Sequence, residues 1–401
     1  MDIRQLGPRD DLEAEVDLTR GSFGPVDDVT RAERLADARA AATGGRYYAA
    51  FDGPRPVGVA TLHDMRQWWH GRSLRMAGVG GVKVEPEQRG RGIGRALMTE
   101  LLRVIAGRGY PLSVLFPATA PLYRSLGWEL AGGLHRAVIP ARSLAPLPPV
   151  GDLAPSLPDL RRAGPDDAAG VIAVIGAVHE SARHCGPATY DADTVRRWWL
   201  TDRNRFCYLA PDGFLAYSWH HGNREILVRC ALAWSAETTR AIWSTVGSYA
   251  SVVEQIRAVV APDDPVGWLT READLELVER EPWMLRVVDA AAAISGRGFP
   301  AAAELAVPVQ IDDPQLPGNT GLWTLEVGGG KGSLSGSGAG HGPRAGPAGP
   351  VRLGARGFAA LYAGTPMATL RRAGLAVGGA AGADDALDSA FAGQAFLLDG
   401  F

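Results

Sequence analysis

Val79-Gly80-Gly81-Val82-Lys83-Val84 is followed, past Pro86, by Gln88-Arg89-Gly90-Arg91-Gly92-Ile93-Gly94-Arg95. The first segment predicts a strand that Pro86 ends. From about Arg95, the residues Leu97, Met98, Leu101, Leu102 and Ile105 recur at helical spacing until Gly107-Arg108-Gly109 stops the helix. Residues 111–116 predict the next strand. A second helix carries Leu122, Tyr123 and Leu126 before Gly127-Trp128. The order strand, glycine loop, helix start has a physical use. Helix N-termini present unpaired N–H groups and a positive dipole end, glycines let the backbone approach a phosphate, and Arg89, Arg91 and Arg95 add charge-assisted donors. The result is a pyrophosphate cradle. The spacing Gly90-x-Gly92-x-Gly94 is not that of a Rossmann site, and no Gly-Lys-Ser/Thr follows as in a P-loop.

Outward from this stretch, the chain reads as several units. Its 401 residues suffice for two to four domains, and 46% hydrophobic with 21% charged residues excludes global disorder. A net charge of −3 excludes a generally basic nucleic-acid binder. Three cysteines, none in a CxxC pair, fit a reducing cytoplasm rather than a disulfide framework. No signal peptide is read at the N-terminus, and no apolar stretch is long enough to span a bilayer.

Ile3-Arg4-Gln5-Leu6-Gly7-Pro8-Arg9-Asp10-Asp11 resembles Leu160-Arg161-Arg162-Ala163-Gly164-Pro165-Asp166-Asp167. Both read as a strand and a Pro/Asp turn opening a helix, the second over 168–177; the pair is either a duplication or a recurrent local motif. A proline-rich linker at 140–158 puts one boundary near 150. A second lies near Pro282, where Trp283 starts a strand after a charged helix over 270–281. Leu322–Val327 and Gly332–Ser335 predict strands joined at Gly328-Gly329-Gly330, residues 338–349 a loop, then three helices and an apolar, strand-like tail at 395–398. The expected domains are 1–150, 151–283 and 284–401.

Arg89-Gly90-Arg91-Gly92-Ile93-Gly94 resembles motif A of the GNAT acetyltransferases, and the flanking strand and helices stand in that family's order. The whole-chain order is similar to the Eis-type (enhanced intracellular survival) acetyltransferases of actinobacteria. This resemblance implies an α/β (α+β) architecture: two tandem GNAT-like domains and a C-terminal sterol-carrier-protein-like domain. The second GNAT unit reads as degenerate, because Leu232-Ala233-Trp234-Ser235 between its strand (225–231) and helix (236–249) offers neither Arg nor Gly cradle.

The resemblance further implies acetyl-CoA as co-substrate, no metal, an aminoglycoside or polyamine acceptor, no nucleic-acid or membrane partner, and a homohexamer. Val82, Lys83 and Val84 are expected to hold the pantetheine arm through their backbone, with the Lys83 side chain free to point into solvent. Gly90 to Arg95, Ile93 and Gly94 among them, are expected to hold the pyrophosphate together with Arg89, and Ala118 and Thr119 to flank the cofactor. Tyr123 is the expected proton donor to the leaving thiolate, a phenol staying protonated at neutral pH. By the same resemblance Phe401 is expected to act through its terminal carboxylate, as the base or by orienting a proton-relaying water; Glu129 reads as exposed and offers no obvious substitute. Phe23 with Asp27, Phe116 and Trp198 are candidate substrate contacts, Trp198 or Trp199 lining a cation pocket. His179-Glu180…His184 is one residue too long for HExxH, and His220-His221 reads as a loop pair. Competing readings are acetylation of protein lysines and a non-catalytic lipid- or small-molecule-binding module.

Overall fold

The computed structural model describes residues 2–7, 10–13, 18–19, 21, 28–145, 160–270, 272, 274–336 and 349–401, with residues 28–30 and 33 by their helical backbone only. Phe23, Asp27, most of the linker expected at 140–158 and all but Gly349 of the loop expected at 338–349 lie outside the described residues.

The first part of the chain supplies β1 (Asp2–Gln5), β2 (Tyr47–Asp52), β3 (Arg55–Trp69), β4 (Arg72–Val84), β5 (Leu112–Leu115) and β6 (Glu129–Pro140). The second supplies β7 (Arg161–Arg162), β8 (Cys185–Thr189), β9 (Arg205–Ala210), β10 (Gly213–His220), β11 (Glu225–Ala233), β12 (Gln255–Val260) and β13 (Glu276–Val287). They join in one mixed sheet, in the order β1-β2-β3-β4-β5-β13-β6-β12-β11-β10-β9-β7, with β8 added to β3. β4 runs parallel to β5, and β11 parallel to β12, each pair spanned by a helix, Ile93–Gly107 in the first half and Ala236–Gly247 in the second. The halves are stitched by exchange: β13 inserts between β5 and β6, while β6 pairs with β12.

The two chain openings fold alike. Arg4 donates to Asp10 at 3.0 and 2.8 Å, and the Gly7 N–H caps the same carboxylate at 2.7 Å. Arg161 and the Gly164 N–H treat Asp167 in the same way. In each copy the arginine partner, then the glycine N–H, holds the carboxyl down to about 2. A shared hydrogen-bonded turn at the same place in both halves favours duplication over a chance motif.

The charged segment expected as a helix over 270–281 is instead largely the exposed half of β13. Glu276–Glu281 pair along β6, and Glu279 and Glu281 meet Arg136 at 3.0 and 3.2 Å. A ladder to a distant strand outweighs the local helical preference. Trp283–Val287, the other half, is buried.

The last part forms a five-stranded sheet, β16-β15-β14-β17-β18, from β14 (Leu305–Asp312), β15 (Gly321–Gly328), β16 (Lys331–Gly336), β17 (Val351–Gly354) and β18 (Ala376–Gly378). Helices Ala290–Gly296, Ala355–Tyr362, Met367–Arg372 and Ala383–Ala390 pack with it. It is pinned to the large sheet by buried charge. Arg286, on β13, donates to both Asp313 oxygens at 2.6 and 2.7 Å, and both side chains are 1% exposed. Asp313 also accepts from Asn319 Nδ2 (2.9 Å) and the Leu316 N–H (3.1 Å). Breaking a buried pair strands the remaining charge. Asp313→Ala is therefore expected to lower stability by about 3–5 kcal/mol, read as an earlier midpoint in urea unfolding; a loss under about 1 kcal/mol would reduce the pair to the level of a surface contact.

The chain then leaves this domain. β19 (Phe396–Leu397) pairs in parallel with Gly133 and Leu134 of β6. It threads a slot built of glycines: a Cβ on Gly132 would lie 2.1 Å from the Ala395 oxygen, and one on Gly186 2.4 Å from the Phe396 oxygen.

Candidate active site

The anion cradle forms as its local sequence dictates. Gly90 and Gly92 take φ of 78° and 81°, the left-handed region that favours glycine, and a Cβ on either would meet only open space. Gly92 is the N-cap of the helix Ile93–Gly107 and supplies no side-chain cap, so the first N–H groups of that helix are left for an external acceptor. Arg89, Arg91 and Arg95 are exposed around it. Arg89 Nε holds the Val84 carbonyl at 3.2 Å, and Arg91 reaches Gln88. Ile93 turns its side chain into a small cluster with Ala50 and Val57, leaving its backbone to the cradle; Gly94 packs between Val84 and Leu122. These residues fit a pyrophosphate.

The second half differs at the equivalent helix. Ser235 caps the helix Ala236–Gly247 through the Thr238 N–H, and Asp212 accepts from the Ser235 N–H at 2.9 Å and from the Thr238 hydroxyl at 2.5 Å. A carboxylate of the protein already occupies that helix start.

β4 pairs with β5 only through Met76–Val79. Beyond that point Gly80–Val84 carry no strand on this side among the described residues, so their backbone is open to an added extended chain. A β-bulge lies in the same place: Gly81 and Val82 oppose Ala60 alone, and Gly81 takes φ of 58°. The helix Ala120–Arg124 begins nearby, with Ala118 and Thr119 exposed before it. Tyr123 is on this helix. Its ring is buried with Leu97, Leu101 and Leu126, and its hydroxyl makes no hydrogen bond among the described residues. Burial pushes the phenol up to about 12.

The tail ends beside the bulge. Tyr190 donates to the half-buried Asp399 at 3.1 Å, and its hydroxyl is 3.4 Å from the Gly400 oxygen. A Cβ on Gly80 would lie 3.3 Å from the Phe401 oxygen and 3.4 Å from its carboxyl carbon. The Phe401 ring meets Phe116 (5.7 Å) and His63 (5.8 Å) and rests on Gly78, where a Cβ would be 2.8 Å away.

Phe401 closes one wall of a cavity of about 240 Å³. Thr61 and His63 of β3, Gly81 and Lys83 of β4, Asp37 and Ala38 of the helix Asp28–Thr43, and Trp198 line it, so both halves of the large sheet contribute. On the wide turn Arg196–Leu200, Trp199 stacks on Phe214 in the core while Trp198 faces the cavity, its Nε1 3.4 Å from Asp37.

Two expectations need correction. The Lys83 side chain is not in solvent: it is buried at the cavity wall and donates to Thr19 Oγ1 at 2.5 Å. Glu129 is not exposed but 4% accessible, held by Arg124 (2.9 Å), Arg356 (2.6 Å) and the Leu130 N–H (2.9 Å). Burial raises its carboxyl, yet these donors bring it net below the ordinary carboxylate range.

His63 escaped the sequence reading. It sits between the rings of Trp198 and Phe401, and its Nε2 is 3.0 Å from the same Gly80 Cβ position that the terminal carboxyl borders. Burial first, then the charges of Arg46 and Arg197, lowers it to about 4, so it is a neutral acceptor at neutral pH. The available signal was Thr61 and His63 on alternate positions of a strand that is otherwise apolar from Val57 to Leu62.

Comparison with known proteins agrees with this build. Residues 2–131 and 190–287 match acetyltransferase (GNAT) domain families, and residues 290–398 a sterol carrier protein domain family. The chain is 27% identical over 298 residues to N-acetyltransferase Eis of Mycobacterium tuberculosis, covering 70% of each. Among solved structures it is similar to a GCN5-related N-acetyltransferase from Kribbella flavida, with 38% identity, 100% and 98% of the two chains covered, and a TM-score of 0.91. It also shares the fold of Eis1 from Mycobacterium abscessus (24% identity, 100% of both chains, TM-score 0.77). A tandem GNAT body with a sterol-carrier-type third domain, and a glycine cradle retained only in the first half, place this chain among the GCN5-related N-acetyltransferases of the Eis type.

Proposed function

We propose that this N-acetyltransferase moves the acetyl group of acetyl-CoA to a primary amine of a small molecule held in the cavity behind Phe401. The observation that carries this reading is one of placement. An open strand edge and the chain's terminal carboxylate meet at one bulge, next to a glycine-rich helix start, and Tyr123 lies in the core cluster against which Val82 of that edge packs.

Bound acetyl-CoA supplies an activated acetyl thioester. Its pyrophosphate goes to Arg89, the backbone of Gly90–Arg95 and the surrounding guanidinium groups. Its pantetheine arm pairs with Val82, Lys83 and Val84, where a backbone N–H meets the acetyl oxygen. Ala118 and Thr119 flank the arm. The amine nitrogen bonds to the acetyl carbon as the carbon–sulfur bond breaks. Tyr123 gives its proton to the departing sulfur. The terminal carboxylate of Phe401 takes the proton from nitrogen, directly or through one water, with neutral His63 beside it as a further acceptor.

Aminoglycosides and polyamines are the acceptors the resemblance implies. The Phe401 carboxylate, Asp37, Phe116 and the Trp198 face are the groups here that suit an ammonium ion. The same resemblance implies a cytoplasmic homohexamer. The three cysteines are free and buried, as suits a reducing compartment, and exposed Trp234, Trp268, Leu277 and Val278 offer apolar contact surface. Among the described residues no helix is long and apolar enough to cross a membrane.

Tyr123→Phe tests the core of the reading. Its kcat for thiol release is expected to fall roughly 10²-fold, with the KM for acetyl-CoA within about threefold of the parent. An unchanged kcat under conditions where chemistry limits turnover returns Tyr123 to the hydrophobic core.

A further inference from the structure

Tyr123 is carried by a helix too short to hold itself. Ala120–Arg124 has five residues, and a helix of that length is marginal without tertiary support. The Tyr123 hydroxyl makes no hydrogen bond among the described residues, so its place is set by ring packing and by the backbone beneath it. That backbone is tied, just past the ring, to distant chain. The N–H groups of Leu126 and Trp128 close the turn on the Tyr123 carbonyl, at 3.0 and 3.1 Å. The Leu126 carbonyl accepts from Arg286 Nε at 3.0 Å, and Arg286 is the residue that Asp313 of the last domain holds. Gly127 takes φ of 93°, and a Cβ there would lie 2.7 Å from Arg286 Nε and 3.0 Å from the Ala355 Cβ. Arg124, next to Tyr123, donates to Glu129 Oε1 at 2.9 Å. Arg356, in the first turn of the helix Ala355–Tyr362, donates to the other oxygen at 2.6 Å. Glu129 is buried, so these charge-assisted bonds have little water to replace them. Three ties thus run from the turn to the sterol-carrier-type domain: through Asp313, against Ala355 and through Arg356.

We propose that the sterol-carrier-type domain sets the catalytic geometry of the first domain: it clamps the turn that carries Tyr123, and Glu129 and Arg356 are positioning residues for that proton donor. This rests on the acetyltransferase reading with Tyr123 as the acid, and gives the third domain a part in the rate. The clamp reaches Tyr123 through Arg124, whereas the cradle opens a different helix, Ile93–Gly107. Its loss therefore misplaces the donor and spares the cofactor site; a misplacement of about 1 Å is enough to lower a rate strongly. Arg356 is 39% exposed, and without it Glu129 keeps Arg124 and the Leu130 N–H, so its removal costs the fold little.

The test is thiol release from acetyl-CoA with spermidine as acceptor, under conditions where chemistry limits turnover. Arg356→Ala is expected to lower kcat roughly tenfold, with the KM for acetyl-CoA within about twofold of the parent and an unchanged urea midpoint. Arg356→Lys, which keeps one charged donor, is expected to recover most of the rate. In the Tyr123→Phe background Arg356→Ala is expected to change kcat by less than about twofold, since no proton donor remains to be placed. If Arg356→Ala lowers the midpoint, Glu129→Gln is compared in the same two backgrounds. Parent-like kcat in the single variant, or its full loss repeated on top of Tyr123→Phe, overturns the inference and leaves the acetyltransferase reading standing. An unchanged kcat in Tyr123→Phe overturns both, because the clamp then has no donor to place. If spermidine is not acetylated, that acceptor fails by itself, and the clamp is read by NMR of protein labelled with carbon-13 at the tyrosine Cζ. The Tyr123 signal, identified by its loss in Tyr123→Phe, is expected to move in Arg356→Ala and to return in Arg356→Lys; a signal that stays in place overturns the inference.

Discussion

Adding three residues after Phe401, or deleting Phe401, is expected to lower kcat roughly 10²-fold or more, while acetyl-CoA affinity and the unfolding midpoint stay near those of the parent. The tail does not depend on its last residue for docking. β19 on β6, the glycine slot at Gly132 and Gly186, and the Tyr190–Asp399 hydrogen bond all precede Phe401. Deletion leaves these in place and moves the terminal carboxylate back to Gly400, by roughly the 3.3–3.6 Å that one extended residue spans. A proton acceptor displaced that far is out of hydrogen-bond reach of the same amine. Extension keeps Phe401 but turns its carboxylate into a neutral amide and pushes chain into a cavity of about 240 Å³. A conservative control, Phe401→Tyr, keeps the carboxylate and is expected to keep most of the rate. Steady-state thiol release read beside calorimetry of CoA binding separates the two effects. A C-terminally tagged protein with full activity would falsify the role of the terminus.

How much of this could be read in advance follows the range of the interactions involved. The cradle was legible because it is local: Gly90 and Gly92 sit within a few residues of the helix they open, and their positive φ needs nothing distant. The orientation of Lys83 was not. Strand alternation assigns faces by parity, and the bulge at Gly81 shifts that parity by one, turning Lys83 toward the cavity. Glu129 follows a short helix and reads as exposed; the partner that helps bury it, Arg356, is 227 residues away in the chain. The segment 276–281 misled for the same reason. Its charges alternate with no local sign of β6, and Arg136, which balances two of them, precedes it by more than a hundred residues. His63 gives no signal as a lone histidine. It gains meaning only where β3, the turn bearing Trp198 and the chain terminus meet.

Gly92→Asp is expected to raise the KM for acetyl-CoA roughly 10²-fold, equivalent to about 2.7 kcal/mol, and to leave the protein folded. The substitution separates binding from stability because the costs to the fold are small. A Cβ at position 92 meets no atom within 4 Å, so there is no clash. The left-handed conformation at φ 81° costs an ordinary side chain roughly 1–2 kcal/mol, and Asp is among the residues that tolerate it best. A carboxylate at the N-cap of Ile93–Gly107 also suits the positive end of that helix and returns part of the cost. The same carboxylate then stands in the proposed pyrophosphate site. It competes for the free N–H groups and opposes the incoming charge; at the helix start of the second half the Asp212 carboxylate, bonded to the Ser235 N–H and the Thr238 hydroxyl, likewise sets a negative charge. Arg89→Ala is expected to act in the same direction more weakly, since it removes one donor and adds no repulsion. If the effect is charge at the cradle, Gly92→Ala should bind acetyl-CoA much better than Gly92→Asp despite a comparable backbone penalty. Equal cofactor affinity in Gly92→Asp and the parent, measured by calorimetry on protein with an unchanged unfolding midpoint, would move the pyrophosphate away from this loop.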